Sequence, residues 1–416
     1  MGMGDSSLVN DPRRVVAVTV ALCMAAALAS CTSSKTTPSV STTSASTTTS
    51  VAQSTTTTAP PGAPEGSAVP SGFEPASVTF VSVTTAFVIG VDSSCAAGSC
   101  VAVARTTDGG ASWAALPAPP AAYVSHFGTA AGTPAVSEVR FADELDGWIW
   151  GPSLFATHDG GATWQSVGLG GPVVSLETSG GFVDAVVAPC SGEQECTGSL
   201  RLYQAPAEGG PFSRVLTGPS TTSGAGVMFH LSLHAPVGFA DMSGVEQPGQ
   251  APVYATSDLA APNGWKTFPD PCAVSPGYGL DAFVAPDTSV LYSLCGGQGA
   301  AGSVVKQVVR TEDGRSTVAG TPPPAGDPES IAATSSGTLV VSAASGASSL
   351  YRSADGGSSW TATTFSDGGI GFEDLGFTTA TQGIVIHGQP GPPTNYASQL
   401  LMTRDAGATW QPVPIR

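Results

Sequence analysis

The sequence predicts an all-β chain: a single seven-bladed β-propeller of four-stranded antiparallel blades, preceded by a signal peptide and a disordered linker. Two observations carry this. A phrase of eight residues, [Ser/Thr]-x-Asp-x-Gly-x-[Ser/Thr]-Trp, recurs at 106–113, 157–164, 353–360 and 403–410. Asp108 and Asp159 lie 51 residues apart and Asp355 and Asp405 lie 50 apart, while the 196 residues from Asp159 to Asp355 hold close to four such steps. Three eroded copies are therefore expected in the gap. Thr311 to Thr317 keeps Asp313 and Gly314 but no Trp; Ser257-Asp258 with Asn263-Gly264-Trp265 keeps the parts around an insertion; Glu208-Gly209-Gly210 is the faintest.

Each unit repeats one interior. In the second, Val139-Arg140-Phe141, Asp146 to Gly151, Leu154 to Thr157 and Trp164 to Val167 read as four short strands. The seventh repeats this at Leu375 to Phe377, Gly383 to Ile386, Gln399 to Met402 and Trp410 to Val413. Short alternating runs bounded by Gly, Pro, Asp and Ser are the pattern of antiparallel sheet. A solenoid would need capping ends, and none is evident.

Residues 1–31 are expected to be a bacterial lipoprotein signal, with Arg13-Arg14 ahead of an apolar run from Val15 to Leu28 that is short for a membrane span. It ends Leu28-Ala29-Ser30-Cys31, which resembles a lipobox and implies lipidation at Cys31. Residues 32–69 are nearly all Ser, Thr, Pro, Ala and Gly, a composition that cannot build a core. As a flexible coil this linker spans roughly 35 Å. Residues 70–416 form the propeller. The expected location is the bacterial cell surface, on the outer face of the cytoplasmic membrane.

Cysteine usage fits export. Cys23 leaves with the signal and Cys31 carries the lipid, and the remaining six are expected to pair as Cys95–Cys100, Cys190–Cys196 and Cys272–Cys295. Their spacings and the absence of nearby His argue against zinc. Formal charge is −17, and it stays −17 without residues 1–31, with 12 basic and 29 acidic residues. That balance disfavours nucleic acid and anionic lipid and suits a cationic partner, a neutral glycan or bound cations.

The recurring phrase resembles the Asp-box, or bacterial neuraminidase repeat, which forms the hairpin between the third and fourth strands of a blade. Its Asp and Ser/Thr side chains suit turn-fixing hydrogen bonds, its Gly supplies positive φ, and its Trp buries a large ring. Asp108, Gly110, Trp113, Asp159, Gly161, Trp164, Asp355, Gly357, Trp360, Asp405, Gly407 and Trp410 are accordingly structural. Sialidases share the repeat, but they need a triad of arginines. Of eleven arginines here only Arg140, Arg201 and Arg214 lie outside the signal, the turns, the third strands and the terminus. Xyloglucanases use two rings. The photosystem II assembly and stability factor family has a single seven-bladed ring with repeats that read like 139–161, and it is the better likeness across 70–416.

Ligand chemistry is expected at a mouth of the central channel. Aligning the strand phenylalanines Phe80, Phe141 and Phe377 brings Ser77, Glu138 and Asp374 to one position, with Glu329 and Asp281 within a residue of it. Arg140 is expected to pair with Glu138. His230 and His234 are too far apart on a strand to share a metal, and no metal, cofactor or nucleic-acid motif is present. The function expected is a monomeric, non-enzymatic binding or assembly module for a protein or glycan. The alternative is an exported glycoside hydrolase using acids at the channel mouth, which would need two convergent carboxylates.

Overall fold

The computed structural model describes residues 66–95, 100–125, 134–189, 198–221, 229–242, 252–261, 263–300, 303–366, 370–390 and 398–416. The expected signal, Cys31, most of the linker and the Cys190–Cys196 pair lie outside them.

Seven four-stranded antiparallel sheets follow one another along the chain, each with its strands in sequence order, so each is one blade. The innermost strands are Phe73–Phe80, Glu138–Phe141, Val173–Ser179, His230–His234, Gly279–Val284, Asp327–Ala333 and Phe372–Phe377. A two-residue parallel pair, Ala122–Tyr123 with Ala135–Val136, lies between blades 1 and 2. The short 3-10 turn Pro271–Val274 precedes blade 5.

The core has no single centre. Seven apolar clusters lie one at each boundary between neighbouring blades. One of them packs Val78, Val88, Ala104 and Trp113 of blade 1 against Ile384, Ile386, Leu400 and Met402 of blade 7. Among the described residues the ring thus closes face to face, with no strand exchanged between the first and last blades. Side-chain bonds cross the same boundary: Arg404 donates to the Gly109 carbonyl at 3.0 Å and Gln382 to that of Val83 at 3.2 Å. Ser67 exchanges two backbone bonds with Ala115, so the segment before blade 1 reaches that blade's outer edge.

The repeated turns share one hydrogen-bond set. In blade 1 the Thr106 hydroxyl donates to Asp108 at 2.8 Å and accepts from the Gly110 amide at 3.0 Å; the Ser112 amide and hydroxyl both donate to Asp108, at 2.9 and 2.6 Å. Blades 2, 6 and 7 reproduce it around Asp159, Asp355 and Asp405. The turn glycines have φ near +90° and lie against the preceding blade: a Cβ on Gly110 would sit 2.9 Å from Val413, and one on Gly407 2.6 Å from Val340. Trp164 and Trp360 donate back to the carbonyls of Pro117 and Thr321, in the connections that follow the preceding blades. In blade 5, Asp313 and Gly314 both take positive φ, which makes a tight two-residue hairpin without the Trp.

Two disulfides are present among the described residues. Cys95–Cys100 closes the connection between the second and third strands of blade 1. Cys272–Cys295 ties the 3-10 turn before blade 5 to that blade's second strand.

Candidate functional site: the central channel

The innermost strands surround a cavity of about 660 Å³. It opens where those strands turn into the second strands, since Ala285-Pro286, Thr334-Ser335 and Thr378-Thr379-Ala380 lie in its wall. The repeated turns share this end of the blades: the amides of Gly109, Gly356 and Ala406 donate to Thr84, Gly337 and Thr381 in the same hairpins. Its wall is mixed: Phe80, Leu233, Leu375 and Phe377 are apolar, Ser232, Ser330, Thr334 and Thr378 bring hydroxyls, and Arg140, Glu177 and Asp374 give it charge.

The phenylalanines that end the innermost strands are set by the local sequence; Phe377 lines the cavity, and Phe141 is buried between blades 1 and 2. Phe141 faces Gly147 and Phe377 faces Gly383 across their hairpins. A Cβ on either glycine would strike the ring, at 2.4 and 2.8 Å. Each Phe therefore lies over a residue that must be small.

The aligned polar position becomes a system of links between blades. The Val78 amide donates to Asp374 at 2.7 Å, joining blade 7 to blade 1. The Val139 amide donates to the Ser77 hydroxyl at 3.0 Å, joining blade 1 to blade 2 in the same way. The Phe372 amide donates to Glu329 at 3.2 Å, and that of Ala285 to Ser232 at 2.9 Å. Bulges help to aim these side chains. Register shifts in the innermost strands place Asp281 and Glu329 at the extra residue of a bulge and Asp374 within a wider one, where its φ is +53°.

Glu138 and Arg140 of blade 2 and Asp374 of blade 7 come together across the innermost strand of blade 1, whose Ser77 lies within hydrogen-bond reach of both Glu138 and Asp374, but the expected pairing is corrected. Arg140 makes its ion pair with Glu177 of blade 3 at 3.0 Å, not with Glu138. Both partners keep part of their side chains open, 23% and 29%. Glu138 instead lies within hydrogen-bond reach of the Ser77 hydroxyl. Glu177, Glu373 and Tyr123 belong to the same electrostatic group and were not singled out by sequence. Blade 3 ends its innermost strand Glu177-Thr178-Ser179 and has no phenylalanine to align on. Asp281 belongs to a different group, where it acts on the buried Lys306 together with Asp327. Glu138, Glu329 and Asp281 do not line the cavity wall.

This concentration of acids is electrostatically costly. Burial, with the charges of Asp374 and Glu373 adding to it, raises the Glu138 pKa well above the usual carboxylate range. Burial also raises Glu177 and Asp374, although Arg140 opposes both. Glu329 is pushed up to about 7 by burial and by Glu373. Tyr123 is raised by burial and by the Glu138 and Glu373 charges. No group of three or more His, Cys, Asp or Glu side chains among the described residues has an arrangement that would hold a metal ion.

No family model and no curated protein matches the chain. Among solved structures it is similar to one described as YCF48 bound to D1 peptide, with 16% identity and a TM-score of 0.52 over 82% of this chain and 96% of that one. YCF48 from Cyanidioschyzon merolae gives 15% identity and a TM-score of 0.50, over 82% and 98% of the two chains. Oligogalacturonate lyase from Vibrio parahaemolyticus gives 9% and 0.51, over 81% and 92%. At such identities the likeness reaches the fold alone: this chain is a seven-bladed propeller, like proteins that differ widely in what they do.

Proposed function

We propose that this chain is a lipid-tethered Asp-box propeller that binds a protein partner through the channel cavity and catalyses no reaction. The observation that carries this reading is the cavity: about 660 Å³, with hydroxyl and apolar side chains interspersed along its wall and charge where Arg140, Glu177 and Asp374 meet it. That size and mixture suit a side chain with flanking backbone. The solved neighbour bound to a peptide supports the same reading at the level of fold. The tether follows from the sequence of 1–69, with Cys31 as the lipid carrier and the linker holding the ring off the surface.

The glycoside hydrolase reading has one observation in its favour, the raised pKa of Glu138 beside Asp374, which is how a general acid is made. Against it, Asp374 and Glu329 already accept backbone amides of the next blade. A carboxylate held in a structural bond is poorly placed to attack or to move a proton.

Cross-linking on intact cells followed by purification of the full chain tests the binding reading, with a glycan array and a polysaccharide hydrolysis panel run in parallel. A stable protein partner with silence on both panels is expected. Release of sugars, abolished by Glu138→Gln, would replace the binding module with the hydrolase. For the tether, palmitate labelling should vanish in Cys31→Ala; labelling that persists would remove the anchor from the proposal.

A further inference from the structure

We propose that the channel cavity takes a lysine- or arginine-type cation on an aliphatic stem, supplied by the partner. This rests on the binding reading above and names the chemistry of what is bound.

The cavity has two separable properties. Its wall mixes hydroxyl side chains such as Ser232, Ser330, Thr334 and Thr378 with apolar ones, Phe80, Leu233, Leu375 and Phe377 among them, so a methylene chain entering from the mouth loses water against part of that wall. Its charge is unbalanced. Among the described lining residues Arg140 is the only Lys or Arg, with His234 the only histidine, and the Arg140 guanidinium is bound at 3.0 Å to Glu177. Asp374 lines the same cavity, and the charge of Glu373 acts on it. At the wall itself two carboxyls, Glu177 and Asp374, stand against one guanidinium, in a partly buried place where a charge counts for more than in bulk water.

An incoming ammonium or guanidinium relieves that imbalance, and an anion would worsen it. A purely apolar stem fills the wall but leaves the acids as they are. A bare metal ion is disfavoured because the carboxyls are not grouped as a coordination shell. The cationic group on an apolar stem is the one chemistry that answers both properties, and the −17 formal charge of the chain would draw it in. A protein side chain and a free alkylamine both carry this group.

Fluorescence anisotropy on the purified full chain tests the proposal, using the labelled peptide acetyl-Ala-Ala-Lys-Ala-Ala-amide and its norleucine and glutamate counterparts. The lysine peptide should bind about tenfold or more tightly than the norleucine peptide, and the glutamate peptide should bind weakest. Glu177→Gln and Asp374→Asn should each weaken lysine-peptide binding by about tenfold. Both variants keep an oxygen for Arg140 or for the Val78 amide, and a thermal melt verifies that they fold. Competition by free pentylamine at concentrations equal to the peptide would assign the site to small amines; failure to compete, with peptide binding intact, would assign it to a protein side chain.

Equal affinity for the lysine and norleucine peptides overturns the proposal without any variant. So does lysine binding that both folded variants retain in full. If a partner is captured from cells equally well by wild type and Glu177→Gln, the binding module stands and its use of this cavity falls.

Discussion

Asp405 accepts three hydrogen bonds within five residues of itself, and this explains why the phrase that contains it has stayed legible. The hydroxyl and amide of Thr409 are the main cause of its low pKa, about 2; burial opposes them and Thr403 assists. Asp355 is held at about 2 by Ser359 and Ser353 in the same way. A depressed folded pKa means that the ionised form favours the fold. The contribution is present above the unfolded value and is lost as pH falls from about 4 toward 2. The glycine two residues on has a different constraint. Gly407 sits at φ +81° with the Val340 methyl 2.6 Å from where a Cβ would lie. Left-handed backbone costs an L-residue about 1–2 kcal/mol, and the contact with blade 6 adds overpacking of about 1–3 kcal/mol. Gly407→Ala should therefore lower stability by about 2–4 kcal/mol in a denaturant melt. A loss under about 0.5 kcal/mol, the range of ordinary surface changes, would show that the turn is not pinned to blade 6.

The innermost strand is where sequence pattern and structure part company. Its alternation, its phenylalanine and the glycine opposite are visible in the sequence, and they were enough to bring Ser77, Glu138 and Asp374 to one place. Bulges are not visible: the extra residue at Asp281 or Glu329 changes no composition and breaks the alternation by only one step. The Arg140 partner is equally hidden, because it comes from the next blade and only the ring geometry brings Glu177 to it. Glu329 gives this element a pH signature. Its folded pKa, about 7, lies above the unfolded value, because burial and Glu373 disfavour its charge more than Phe372 and Ser342 favour it. A raised carboxyl binds a proton more tightly in the folded state. Its stabilising effect is thus complete below about pH 4.5, declines as pH rises, and is exhausted above about pH 7. Glu329→Gln keeps an oxygen for the Phe372 amide and removes the ionisation. The wild type should lose up to about 3 kcal/mol more than this variant between pH 5 and 8. Parallel stability curves for the two proteins would show that Glu329 ionises as freely in the ring as in the unfolded chain.

At the scale of the whole molecule, counting the phrase predicted seven blades but not how the seventh meets the first, because closure resides in contacts between residues some 300 positions apart. Those contacts are of the same kind as all the others. Ile386 is fully buried against blade 1, as Ile149 is between blades 1 and 2, and each belongs to a single boundary cluster. Many closed rings are latched by a strand from one terminus. Here each sheet keeps four consecutive strands, and Asp374, Gln382 and Arg404 cross the boundary only through side-chain bonds. The closing boundary must then be held by packing, at full strength, or the ring would stand open. Removing the buried isoleucine atoms at either boundary should cost about 2–5 kcal/mol. Ile386→Ala and Ile149→Ala are expected to agree within about 1 kcal/mol in equilibrium unfolding, each in one cooperative transition. If Ile386→Ala costs far less, and hydrogen exchange quickens only along the strands of blades 7 and 1, closure is a weak seam that opens locally. Equal costs with uniform exchange would mean that packing joins the first and last blades as firmly as any other pair along the circumference.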